Sequence, residues 1–169
     1  MRPEWGAPRR RTVTWHDPAV LARAAAEMSG RELLEAIGDG RLPGPPLAEL
    51  FGARLEFVGD GEVRFRCTPS ESEYNTLGLV AGGLLCVMLD FAAGAAVHSL
   101  LPRGVGLSSI EIKVSYLKPV RAGAGDVEVH GKALRVGKRV AFAEAFARNG
   151  DGQLVGHATS SVAVLQPPT

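Results

Sequence analysis

The spacing of apolar residues changes at Ala53. Beyond it, apolar and polar positions alternate with a period of two, as in half-buried strands. Leu55 and Phe57 alternate with polar neighbours. After a Gly59-Asp60-Gly61 turn, Val63, Phe65 and Cys67 alternate with Glu62, Arg64 and Arg66, which predicts a hairpin. The alternation then stops. From Gly82 to Leu101 the chain is apolar on every side except at Asp90, which predicts one long buried helix ended by Pro102 and Gly104. Four more strand-like runs follow. Ile110, Ile112, Val114 and Tyr116 share a face, and so do Val127 and Val129, with Glu128 and His130 opposite. Val140, Phe142 and Phe146 alternate with alanines, and "QLVGHATSSVAVL" closes the chain. The turns "RAGAG", "VGK" and "NGDG" carry hairpin chemistry, so the last four strands are expected to be antiparallel neighbours.

Upstream of Ala53 the pattern predicts one or two short helices. Asp17 can cap the first, with Pro18 at its first position. Ser29 can cap the second, with Glu32 completing a capping box and Gly38 ending the helix. Residues 41–52 read as a Pro/Gly-rich connector and residues 1–16 as a loose tail. The chain therefore divides into a tail and helical extension (1–52) and a main domain (53–169). A sheet of about six strands has an apolar face to cover, and the 82–101 helix is the element apolar enough to cover it. The expected fold class is α+β, an antiparallel sheet wrapped around one long central helix. This is the hotdog arrangement.

Composition narrows the function. A chain of 169 residues fits one domain with a real core. A net charge of +1 gives no support for a nucleic-acid surface, and the run Arg9, Arg10, Arg11 is too short to change that. Cys67 and Cys86 lie in apolar contexts without a CxxC, which suggests buried thiols in a reducing compartment and no zinc. The N-terminal residues lack a secretory apolar core, so the expected location is the cytoplasm. Stretch 82–101 is long enough to span a bilayer, but a carboxylate at its centre costs about 2.5–3.5 kcal/mol there. Burial in protein, with no membrane, is the expectation. None of His16, His98, His130 and His157 has a partner at metal-ligand spacing.

Two features carry candidate chemistry. Asn75, Gly78, Ala81, Gly82 and Gly83 lead into the long helix, whose start exposes unpaired N–H groups and the positive end of its dipole. Glycines let a ligand approach that backbone, as an oxyanion hole requires, or they merely permit a tight turn. Asp90 lies two turns further on, near the same face. Positions three and four residues away hold Cys86, Val87, Ala93 and Gly94, so no basic residue on its own helix neutralises it. Such a carboxylate must be paired from elsewhere, solvated in a cleft, or functional.

The order Asn75-x-x-Gly78-x-x-Ala81-Gly82-Gly83, then Asp90, "SSIEIKVSYLKPV" (108–120) and "GHATSSVAVL" (156–165) resembles PaaI-type hotdog acyl-CoA thioesterases over roughly residues 53–165. The resemblance implies hydrolysis of an acyl-CoA thioester without a cofactor or metal. It also implies a homodimer with shared active sites, and by extension a homotetramer. In its terms, the Gly82 N–H polarises the carbonyl and Asp90 is the base or nucleophile. Asn75 holds the thioester or water, and Ser109 orients water, with Ser108 as its alternative if the register slips. Gly83 and Ala81 flank the carbonyl site. Arg135, Lys138 and Arg139 are candidates for the CoA phosphates, as are Lys118 and Arg121. One position departs from the family: its His before the glycines is Ala81 here. That substitution favours a rival reading, a non-catalytic acyl-CoA or lipid-binding hotdog protein. A hotdog dehydratase would want a His beside the helix start, where this chain has none.

Overall fold

The computed structural model describes residues 3–167; the remaining two residues of the tail and two of the main domain lie outside the described residues. Three short helices, α1 (Ala19–Glu27), α2 (Gly30–Gly38) and α3 (Pro46–Phe51), precede strands β1 (Arg54–Val58) and β2 (Glu62–Cys67). Helix α4 (Gly82–His98) follows, then β3 (Gly106–Tyr116), β4 (Val127–Val136), β5 (Val140–Arg148) and β6 (Leu154–Leu165). All six strands form one antiparallel sheet in the order β1-β2-β4-β5-β6-β3. The sheet packs around α4, giving the expected hotdog fold.

The extension follows its cap signals. The Asp17 carboxylate accepts the Ala19 N–H at 2.9 Å, and the Ser29–Glu32 capping box is formed. The connector differs from expectation in containing α3, which has Pro46 in its first turn and Gly52 at its end, in the left-handed region at φ 62°. Six residues are too few to show a helical period. Helix α4 stops at His98 rather than Leu101. Beyond it, the Ser99 hydroxyl donates to the Ala96 carbonyl and accepts from Gly61 N–H, tying the helix end to the β1–β2 turn.

The last four strands are not all sequential neighbours. Residues 117–126 separate β3 from β4, too long a link for a tight hairpin. They cross one end of the sheet, where Val80 N–H donates to the Val120 carbonyl at 3.0 Å. The turn "RAGAG" closes locally through Ala124 N–H and the Arg121 carbonyl. As a result β4 pairs with β2, while β3 pairs with β6 at the outer edge of the sheet.

The alanines of β5 explain how close the layers come. Ala141, Ala143, Ala145 and Ala147 are buried against α4, while Val140 and Phe142 face outward. Opposite them α4 presents Ala92, Ala93 and Ala96, all fully buried. At Gly131 of β4 the approach is closest: a Cβ there would lie 2.0 Å from the Ala92 carbonyl oxygen. Register shifts in β1, β3 and β4 each oppose an extra residue to the partner strand, and such bulges bend the strand. The β1 bulge corrects one expectation. Leu55 is buried, but Phe57 turns outward and is 45% exposed.

Candidate active site

The bulge in β3 decides where Ser109 points. Leu107 and Ser109 precede it; Ile112 and Val114 follow it. Leu107, Ile112 and Val114 all pack on the core although they belong to opposite parities. Ile110, expected to share their face, is the extra residue and is 60% exposed. Ser109, expected in the polar phase, instead faces α4, and its hydroxyl donates to Asp90 Oδ1 at 2.8 Å. Ser108 is exposed and pairs across the sheet with Ala163.

Asp90 is half-buried and has no ion pair among the described residues. Its carboxylate accepts from one hydroxyl and keeps further acceptor capacity. With Ser109 it lines a cavity of about 470 Å³ whose other walls are apolar except for His98. Along α4, Asp90 stands at one end of this cavity and His98 at the other.

Asn75 and Gly82 lie elsewhere, in a second cleft of about 360 Å³ with Tyr116 and Lys118. The Asn75 side-chain oxygen accepts from Leu77 N–H at 2.9 Å and Leu79 N–H at 3.2 Å, which shapes the loop into α4. Gly78 closes that loop at φ 70°. Ala81 N–H donates to the Glu73 carbonyl at 2.8 Å. The glycine turn is thus organised through backbone without an imidazole. The N–H groups of Gly82 and Gly83 have no acceptor among the described residues, as expected of a helix start. Gly83 is open, with nothing within 4 Å of where a Cβ would stand.

Tyr116 is the residue that sequence reading missed. Its hydroxyl donates to the Gly82 carbonyl at 3.0 Å, and its ring lies 3.0 Å from where a Gly82 Cβ would be. Desolvation, with Cys86 adding to it, raises the phenol above its ordinary range, so it stays a neutral donor. The alternation had placed Tyr116 on an apolar face and carried no sign of this contact.

The other candidates sort by position. Arg135, Lys138 and Arg139 are exposed around the β4–β5 turn. His130 and His157 sit beside Glu62 and Glu144 at 3.8 and 3.6 Å, and His157 also stacks on Phe146. His16 is exposed. Both cysteines are free; burial pushes the Cys67 thiol up to about 12, with Asp126 and Glu73 adding to it. Among the described residues no group of three His, Cys, Asp or Glu could hold a metal, and no helix is long and apolar enough to cross a membrane.

Burial lowers the His98 pKa below the ordinary 6.5. The unfolded chain therefore binds this proton more readily than the native one, and stability falls as pH drops below about 6.5 until the native value is passed. His98→Gln should flatten that acid slope. The measurement is the urea midpoint from about pH 7.5 to 5, wild type against variant. Parallel curves would remove the burial argument.

Fold and site define a hotdog-fold domain whose central helix carries a carboxylate bonded to a serine hydroxyl, beside an apolar cavity. The sequence profile of the thioesterase superfamily matches residues 77–156, from the loop before α4 into β6. A candidate esterase of Halobacterium salinarum is 37% identical over 103 residues, 58% of this chain and 66% of that protein. The chain thus spans slightly less than two thirds of that curated relative. A candidate thioesterase of Ralstonia eutropha, a phenylacetic acid degradation-related protein, superposes with a TM-score of 0.71 at 26% identity, covering 77% of this chain and 98% of that one. The E. coli PaaI protein from the phenylacetic acid degradation operon shares the fold, with a TM-score of 0.72 at 16% identity over 83% of this chain and 98% of its own. The chain is similar to the thioesterase superfamily over residues 77–156, and its fold is that of the PaaI-type hotdog proteins.

Proposed function

We propose that the protein hydrolyses acyl-CoA thioesters at sites shared between two copies of the chain. The observation that carries this reading is the Ser109–Asp90 hydrogen bond beside the apolar cavity. A water held by the free lone pairs of Asp90 and Ser109 loses a proton to Asp90 as its oxygen attacks the thioester carbon. The carbonyl oxygen gains charge and needs N–H donors. The tetrahedral intermediate then expels the CoA thiolate, which takes up a proton, giving free acid and CoA. A thiol's pKa of about 8.5 makes the thiolate a good leaving group. A single carboxylate base therefore suffices, and the Ala81 departure leaves the chemistry possible. Asp90 acting as nucleophile uses the same contacts.

One copy does not assemble this constellation. Gly82 and Asp90 are eight residues apart on α4, about 12 Å of rise, and open into different clefts. The outer edge of β3 is unpaired within the chain. Antiparallel pairing of two such edges about their middle, Glu111, sets Ser109 of one copy opposite Lys113 of the other, three residues before Tyr116. Tyr116 packs on Gly82, so this pairing turns the partner's Gly82 and the partner's Asn75 towards Asp90. Arg135, Lys138 and Arg139 are the basic groups available to the CoA phosphates, with Lys118 in the second cleft. Gly83 and Ala81 flank the carbonyl position, and a cytoplasmic setting suits both CoA and free thiols.

Released thiol, measured over a panel of acyl-CoAs, tests the activity; binding without turnover would support the non-catalytic reading instead. Mixing tests the sharing. Asp90→Asn and Gly82→Val should each be inactive alone. Their random mixture should recover about a quarter of wild-type activity, because half the dimers then carry one intact site of two. No recovery on subunit exchange would place each site within one copy.

A further inference from the structure

We infer that the N-terminal extension forms the specificity wall of this site: α1 and α2 roof the cavity beside Asp90, which receives an uncharged, apolar acyl group of medium length. The inference rests on the thioesterase reading for the identity of its ligand. The cavity itself is a property of one chain.

Helix α1 contributes Leu21, Ala22 and Ala25 to the cavity wall, and α2 contributes Leu33, Leu34 and Ile37. The opposite wall is α4, with Phe91, Gly94 and Ala95 between Asp90 and His98. No residue of α1 is fully buried. Its apolar side is therefore spent on lining this space rather than on the core, which is the expected state of a roof whose contact surface is the ligand.

The roof is held at one edge. Gly30 N–H donates to the Leu101 carbonyl at 3.1 Å, and Gly104 N–H donates to the Met28 carbonyl at 3.3 Å. Gly30 lies so close to α4 that a Cβ would stand 1.8 Å from the His98 carbonyl oxygen. The α1–α2 junction is thus fixed to the end of α4. This sets the height of the roof over Gly94 and Ala95, the two smallest residues on the opposite wall.

Chemistry and size then select the ligand. The cavity has no cation to meet a second carboxylate, and Asp90 at its end repels one, so malonyl and succinyl groups are disfavoured. From Asp90 to His98 the cavity follows about 12 Å of helix, and 470 Å³ lies within the ordinary range of ligand pockets. Each methylene that enters should tighten binding about fourfold until the space is full.

The test compares acetyl-, octanoyl-, palmitoyl- and succinyl-CoA. Wild type should prefer octanoyl- over acetyl-CoA by 100-fold or more in kcat/KM, an order-of-magnitude expectation from methylene burial, and should discriminate against succinyl-CoA. Ala25→Phe, which fills the cavity from α1, should cut the octanoyl-to-acetyl ratio about tenfold or more. Leu21→Ala, which enlarges it, should shift preference towards palmitoyl. The same ratios are read by calorimetric binding to the Asp90→Asn protein. Ratios left unchanged by Ala25→Phe and Leu21→Ala, where wild type hydrolyses thioesters, would overturn the roof and leave the activity standing. Ratios that shift as expected in binding, with no hydrolysis by wild type, would overturn the activity and leave the roof standing.

Discussion

Asp90→Asn should lower kcat/KM for every acyl-CoA tested by about 10²- to 10⁴-fold, the range attached to a lost general base. The substitution keeps size and shape. An Asn oriented with its oxygen towards β3 still accepts the Ser109 hydroxyl, so the only certain loss is the capacity to take a proton. Asp90 has no ion pair to break among the described residues, and stability should stay within about 0.5 kcal/mol of wild type. Urea unfolding beside thiol-release kinetics separates the two effects. Turnover that survives in a folded Asp90→Asn protein would remove Asp90 from the chemistry.

A large effect on stability should come from Gly131→Ala. The added methyl group would meet the Ala92 carbonyl oxygen at 2.0 Å and its carbonyl carbon at 2.4 Å. Both are backbone atoms of α4, so no rotamer change relieves the overlap. The whole helix must lift, or β4 must bend away from β2 and β5, to which it is paired on both sides. Overpacking a core usually costs about 1–3 kcal/mol, and this case should lie at or above the upper end. Denaturant unfolding of the variant checks it. A loss under about 1 kcal/mol would mean that α4 is not held as tightly as its contacts imply.

Much of the fold was legible because the signals were local and agreed with one another. The change of period at Ala53, the apolar run into α4 and the caps at Asp17 and Ser29 each named an element that formed. Two kinds of information were not local. Strand order depends on which partners are free. "RAGAG" has the composition of a hairpin turn, yet the residues before it run across the sheet end to meet Val80, and β3 goes to the edge. Parity depends on bulges, which carry no fixed residue signature. Alternation alone therefore turned Ile110 inward and Ser109 outward, the reverse of what is observed. The resemblance to known thioesterases had already singled out Asp90 and Ser109, and the structure brings those two together. It does not bring Asn75 or Gly82 to them within one copy. Tyr116 had no signal, since its role depends on how close α4 starts to the end of β3.

The bulge in β3 also bears on how such a chain can change over time. The contact between Ser109 and Asp90 depends on a count of residues as well as on their identities. Deleting one residue between Ser109 and Ile112 would restore strict alternation from Ile112 back towards Gly106. Ser109 would then stay in phase with Ile112 on the core face and need no bulge, with every side chain of the pair still present in the sequence. A regular strand at the present length would instead turn Ser109 outward, so loss of the bulge loses the pair, and a single-codon deletion beside Ile110 would keep it. A comparison of related chains that scores residue identities without the spacing around Ile110 would miss it.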